Sequence, residues 1–388
     1  MRRIASITLL IGLALAHSAP AQVNDGSSAP KMRVYVGTYT GARSKGIYLL
    51  DFDPATGSLT SKGVAAETPS PSFLAIHPNR RFLYAANEVG TFGGKAGGGV
   101  SAFAIDPKTG ALTPLNNQTS GGADPCALIV DPSGRNVLVA NYSGGSLEVL
   151  PIASDGSLGA PSAFVQHVGS SVDKGRQTSP HAHSIDLDVT GRLAIASDLG
   201  LDKVMIYRFD PARGTLTPND PAFAPVKAGS GPRHFALHPD GKHAYVISEM
   251  ACTVTAFDFD PASGAFAELQ SISTRGPGGK PGNSTAEIMV HPSGKFVYGS
   301  NRGDDTLAIY SVAPASGKLT LVGHQSTGGK TPRNFGIDPT GRFLLAANQD
   351  SGTVVVFRID PATGLLKQVG RPVDVPSPVC VKFLPVGE

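Results

Sequence analysis

The sequence predicts an all-β fold: a seven-bladed β-propeller whose four-stranded antiparallel blades close into a ring. Two mutually independent observations carry this expectation, and a third supports it. A unit running from a Pro or Thr through an apolar stretch, a His-Pro or Asp-Pro turn, a Gly and a second apolar stretch occurs seven times in the 388 residues. A hairpin signature, D-P-x-T-G-x-L or a relative of it, also occurs seven times. No segment sustains a helical apolar period.

After the leader, the segments Arg33 to Tyr39 and Gly46 to Asp53 read as the second and third strands, b and c, of a blade. The repeat then starts at Pro71 (PSFLAIHPNRRFLYAANE), Pro125 (PCALIVDPSGRNVLVANY), Pro180 (PHAHSIDLDVTGRLAIASDL), Pro232, Thr285 and Pro332. A truncated copy follows at Pro376 (PSPVCVKFLP). Each full copy supplies the innermost strand a, a turn and strand b. The hairpin signature at Asp53, Asp106, Asp210, Asp260, Ala313 and Asp360, with the looser SDGSL at Ser154, joins c to the outer strand d. In that turn Asp accepts backbone hydrogen bonds, Pro presets φ and Gly takes the left-handed position. The last copy has only strand a (Val379 to Leu384), and the chain opens on b and c. The two ends are therefore expected to share one blade and leave no open edge.

Gly and Pro together number 78 (47 and 31) and charged residues are 16%, which would suit a disordered chain. The 40% of apolar residues, gathered in short runs, argues for a packed core instead. A net charge of +3, with no basic run longer than Arg80-Arg81 beyond the N-terminus, excludes nucleic acid as the main partner. Arg2-Arg3, the apolar Ile7 to Ala16 and Ala19-Pro20-Ala21 form an export signal over residues 1–21. A polar leader over 22–32 and a single propeller domain over 33–388 follow. The mature protein is expected to be a soluble periplasmic or secreted monomer with no membrane contact. Cys126, Cys252 and Cys380 lack metal-site spacing and lie in or beside apolar runs, as buried inert thiols do.

Aligning the seven copies separates what the scaffold needs from what it does not. The residue after strand a is His77, Asp131, His238, His291 or Asp338, a turn-capping slot. Strand b ends in a small polar residue: Thr38, Asn87, Asn141, Asp198, Ser248, Asn301 or Asn348. With the third copy started at Pro180, His183 falls in a column otherwise filled by Leu74, Leu128, Phe235, Ile288, Phe335 and Val379. An imidazole there costs desolvation unless it has a partner or a task. One residue after each start stand Ser72, Cys126, His181, Arg233, Ala286, Arg333 and Ser377. One residue after each strand-b cap stand Tyr39, Glu88, Tyr142, Leu199, Glu249, Arg302 and Gln349. Strands a and b are antiparallel, so both columns belong to one end of the channel. His181, His183, Arg233, Glu249, Arg302 and Arg333 should meet there, an arrangement poor for stability and suited to binding an anionic ester. On this alignment His183→Leu should keep or raise stability, and Glu249→Gln should melt near wild type.

Other signals fail. Gly329-Lys330-Thr331 lacks the earlier Gly and the helix of a phosphate loop, and no G-x-S-x-G elbow is present. His181-x-His183 has no evident third ligand, so neither metal nor cofactor is expected.

With YVGTYT (Tyr35 to Thr40), RQ…PHAH (Arg176 to His183), GPRH (Gly231 to His234), AEI (Ala286 to Ile288) and SNRG (Ser300 to Gly303), the chain resembles the seven-bladed propeller lactonases. That family is known for 6-phosphogluconolactonases and includes the carboxy-muconate lactonising enzyme. The resemblance implies metal-free hydrolysis of a sugar-acid lactone, with His183 (or His181), Arg233, Glu249 and Arg302 as catalytic residues. His181, Arg333, Arg176, Glu287, Glu88 and Tyr142 are expected to bind the substrate, a small anionic lactone. Arg233 and Arg302 would hold the oxyanion. Either His183 or Glu249 would activate water, the other orienting it or protonating the leaving alkoxide. The export signal points away from a cytoplasmic sugar phosphate as the substrate. A cycloisomerase, or a propeller that binds a ligand or protein without catalysis, is the rival class.

Overall fold

A computed structural model describes residues 30–386; the export signal over 1–21 and the leader up to residue 29 lie outside the described residues. Seven four-stranded antiparallel sheets surround a central channel, and no helix occurs among the described residues. Blade 2 shows the pattern: strand a is Pro71–Ile76, b Phe82–Asn87, c Gly99–Ile105 and d Leu112–Thr119. A two-stranded ribbon, Thr91–Phe92 with Lys95–Ala96, is inserted between b and c. Strand b is buried along its whole length in blades 2 to 7, as a short unbroken apolar run requires. Strand d alternates at the rim, as in Ala163–Gln166 of blade 3.

The core is divided among seven apolar clusters, each largely a seam between neighbouring blades; one joins Met32, Val34 and Phe52 to Phe343 and Val356. Directed polar contacts reinforce the seams. Tyr35, Tyr84, Tyr245 and Tyr298 on strand b each donate to the carbonyl of Gly110, Gly156, Gly317 or Gly364 in the next blade's c–d turn, at 2.8 to 3.0 Å. At the same end of strand b, in the a–b turn that leads into it, His77, His238 and His291 cap their own turns through Nδ1, at 3.0 to 3.2 Å. Their Nε2 atoms reach the carbonyls of Gly134, Gly294 and Gly341 in the next blade at 2.9, 2.9 and 2.7 Å. These glycines have φ of +71°, +73° and +71°, and a Cβ on any of them would strike the histidine ring.

The chain ends share blade 1. Strand a, Pro378–Pro385, pairs with strand b, Met32–Thr38, from Met32 opposite Pro385 to Thr38 opposite Pro378.

The register corrects the sequence alignment in two blades. In blade 4, Ala182 lies opposite Asp198 and Asp186 opposite Ile195, as Pro125 lies opposite Asn141 and Ile129 opposite Leu138 in blade 3. The repeat's first position in blade 4 thus falls on Ala182, ahead of the two-residue strand Asp186–Leu187, and Pro180 and His181 precede it. Ile185 takes the apolar slot of Leu128 and Phe235, while His183 joins the column of Cys126 and Arg233. His183 therefore does not displace a core residue, contrary to the expectation. In blade 1 the start is Pro378, so Val379 joins His183's column and Val381 takes the apolar slot. Counting back from the turn residue would have exposed the slip, since Asp188 follows Ala182 at the interval separating Asp131 from Pro125. Asp188 also makes the same bonds to its turn, with Arg192 N and Leu193 N at 2.8 Å.

Candidate active site

The corrected column, Ser72, Cys126, His183, Arg233, Ala286, Arg333 and Val379, is contributed once per blade by the start of strand a. The column after strand b adds Tyr39, Glu88, Tyr142, Glu249 and Arg302 at the same end of the channel.

Glu249 is the hub. Its Oε2 accepts from Arg302 at 2.7 Å and from Arg233 Nε at 3.1 Å, and its Oε1 accepts from Arg176 at 2.7 Å. Arg176 arrives from the connection between blades 3 and 4 and also donates to the Tyr142 hydroxyl at 3.0 Å. Arg233 is 2% exposed and donates to Ala286 O, and Arg302 donates to Thr285 O, each at 2.8 Å. Burial pushes the Glu249 carboxyl upward, but Arg302, Arg233 and Arg176 outweigh it and hold it at about 2. Burial and then the neighbouring Arg233 draw Arg302 down to about 10.

Arg333 differs. Its guanidinium lies over the Tyr39 ring at 5.2 Å, and it makes no ion pair among the described residues. The Tyr39 hydroxyl instead donates to both oxygens of Glu88, at 2.8 and 2.9 Å. The cluster as a whole holds four arginines (176, 233, 302 and 333) against two carboxylates (88 and 249), a surplus of two positive charges.

The histidines bracket Tyr142. His181 stacks on its ring at 4.6 Å with Nδ1 3.0 Å from Tyr142 O, and the His183 ring meets it edge-on at 5.1 Å. His183 is 4% exposed, and its Nδ1 is 3.5 Å from the Cys126 sulfur. Burial and then Arg233 hold His183 well below the usual imidazole range, so it is neutral at pH 7. Burial likewise keeps Cys126 a thiol. A thiol is a weak donor and a weaker acceptor, so the contact favours the His183 tautomer with its proton on Nε2. Asp198 fixes the segment: its Oδ1 accepts from His181 N at 2.8 Å and its Oδ2 meets His167 Nδ1 at 2.6 Å.

Glu287 does not join this group. It lies deeper in the channel, where it binds His234 Nδ1 at 2.8 Å and Asn334. Tyr39, Asp198 and His234 went unrecognised in the sequence. Tyr39 stood in an aligned column without departing in size or polarity, Asp198 was the one charge in the strand-b cap column yet passed as a turn residue, and His234 was visible only as the last residue of GPRH. The group His238, Asp240 and His243 lies in the a–b turn at the far end of blade 5, with both histidine Nδ1 atoms on Asp240 Oδ2 at 3.0 and 2.7 Å.

Comparison with known proteins agrees with this fold. A family model described as "Lactonase, 7-bladed beta-propeller" matches residues 33–383. A 6-phosphogluconolactonase of Bacillus subtilis is 39% identical over 351 residues, 90% of this chain and 97% of that protein. A 6-phosphogluconolactonase of Formosa agariphila is 33% identical over 78% of this chain and 86% of its own. Among solved structures, the periplasmic gluconolactonase of Pseudomonas aeruginosa superposes with a TM-score of 0.85 at 36% identity, covering 92% of this chain and all of that one.

Proposed function

The chain belongs to the seven-bladed β-propeller lactonase family, and on that premise we propose that it hydrolyses the ester bond of an anionic sugar-acid lactone at the Arg333 end of the channel. The observation that carries the anionic part is the unpaired Arg333 within a cluster that holds two surplus positive charges. Nearly buried cations without counter-ions are costly, and a substrate carboxylate or phosphate would supply the missing charge. Arg233 and Arg302, locked to Glu249, present guanidinium groups that need not reorganise when charge develops on the carbonyl oxygen. Glu249 is the clamp that sets them. A carboxylate held at about 2 is a weak base, so water activation falls to a neutral group. His183, with its proton on Nε2, donates to the substrate.

We also propose that the chain is exported, as Arg2-Arg3 and Ala19-Pro20-Ala21 suggest, and that it acts on a lactone found outside the cytoplasm. The guanidinium groups supply the electrophile, so the reaction is proposed to proceed without a metal. The test is a panel of anionic and neutral lactones assayed by acid release above the spontaneous rate. Anionic members should be preferred, and a chelator should leave the rate unchanged. A panel without hydrolysis refutes the proposal.

A further inference from the structure

Two cavities in the channel meet at one imidazole. The upper one, about 10 Å³, lies at the floor of the arginine cluster among Tyr39, Glu88, His183, Arg233, His234 and Arg333. That is close to the space one water occupies. The lower one, about 350 Å³, approaches from the opposite side of the ring and is lined by Phe73, Asp186, Glu287, Lys382 and again His234. It is large enough to hold several waters.

His234 is 6% exposed. Its Nδ1 faces Glu287 Oε1 at 2.8 Å, and its Nε2 is buried without a hydrogen-bond partner. Glu287 is itself fully engaged: Oε1 also accepts from Ile288 N at 2.9 Å, and Oε2 accepts from Asn334. A carboxylate fixed in this way holds the imidazole proton on Nδ1 and leaves the Nε2 lone pair free. The His183 ring lies across the boundary, its centroid 5.5 Å from that of His234 and the two planes steeply inclined. A buried nitrogen without a partner is costly, and here it sits where a water-sized cavity adjoins a larger chamber.

We propose that His234 is the general base of the lactonase reaction, taking a proton from a water seated in the upper cavity and replenished through the lower chamber, with Glu287 as its positioning residue. This rests on the lactonase reading above. The water oxygen bonds to the lactone carbonyl carbon while its proton passes to His234 Nε2. The ring C–O bond then breaks, and the departing oxygen takes that proton back, giving the open hydroxy acid with His234 restored. The substrate covers the arginine mouth while water arrives from behind, so the two need not compete for one entrance.

The charged and titratable groups facing His234 are Glu287, Arg233, His183 and Lys382. Burial lowers its proton affinity and Glu287 partly restores it. The turnover number should therefore be flat at neutral pH and fall on an acid limb below 6.5. His234→Gln should lower kcat at least about a hundredfold, the scale of a lost general base, with KM changed less than about threefold. Glu287→Gln removes the charge that raises His234, so the acid limb should move to lower pH, which a purely structural role would not produce. Nitrogen NMR of the wild-type protein, which needs no variant to fold, should show His234 protonated on Nδ1. An Nε2-protonated His234, an unmoved limb, or a His234→Gln enzyme at the wild-type rate overturns the proposal alone. A wild-type protein inert on every lactone overturns the lactonase reading and this proposal with it.

Discussion

Exchanging Glu249 for Gln keeps the shape of the side chain and removes the one charge that three guanidinium groups share. The carboxyl is held at about 2 against an ordinary 4.5. A difference of that size corresponds to about 3 kcal/mol of stability at neutral pH, at about 1.4 kcal/mol per unit. Spread over about 350 residues, each with about 2 cal/mol/K of unfolding entropy, the loss lowers Tm by about 4 °C. Because the folded carboxyl titrates below its unfolded value, this stabilisation is complete above pH 4.5 and fades as the pH falls toward 2. Circular-dichroism melts of both proteins at pH 7, 4 and 2.5 should show a gap that is full at pH 7 and narrows toward pH 2.5. The carboxylate is nearly buried and each of its contacts is charge-assisted, so solvent does little to soften the loss. A Glu249→Gln protein melting within about 1 °C of wild type at pH 7, or a gap that ignores pH, would show that Glu249 does not hold the cluster together.

Arg333→Gln removes a cation that burdens Arg233 and Arg302 but is itself favoured by Tyr39 and Glu88, so stability should change little. KM for an anionic lactone should increase about 10- to 100-fold, matching a lost charge-assisted hydrogen bond, while a neutral lactone should change less than about threefold in steady-state kinetics. Tyr298→Phe deletes one latch between blades 6 and 7 and should cost about 1 kcal/mol in urea unfolding with an unchanged m-value. Mass spectrometry of the mature protein should find an N-terminus at or near Gln22; an intact Met1 form would refute export.

The number of blades was legible because the information is local. Asp53, Asp106, Asp210, Asp260 and Asp360 each bind the backbone two residues on, at 2.9 Å, and that chemistry repeats in the sequence wherever a c–d hairpin repeats in space. Arg233, Arg333, Glu249 and Arg302 were legible because each puts a charge in a column the scaffold fills with neutral residues. The register of blade 4 was not, because Pro180 imitates the repeat's first residue two positions early, and only Asp188 marks the true frame. The link from Arg176 to Glu249 was not legible either. It spans 73 residues between a connection and a strand end, and no repeat places them side by side. His234 escaped for a different reason: its importance lies in a nitrogen without a partner, and a sequence does not record what a side chain fails to touch.

The pairing of Pro378–Pro385 with Met32–Thr38 sets an order of events. If the chain is exported as proposed, threading out amino end first, it presents six blades and an unfinished seventh, with Met32, Val34 and Val36 lacking their inner neighbour. Neither wall of the channel can close until the stretch beyond residue 378 has emerged, and Val379, part of the ring of residues around the mouth, arrives with it. Assembly is therefore all-or-nothing on the time scale of delivery. A chain stalled before its last strand would bear a sticky edge and no formed pocket, a natural target for holdases and proteases.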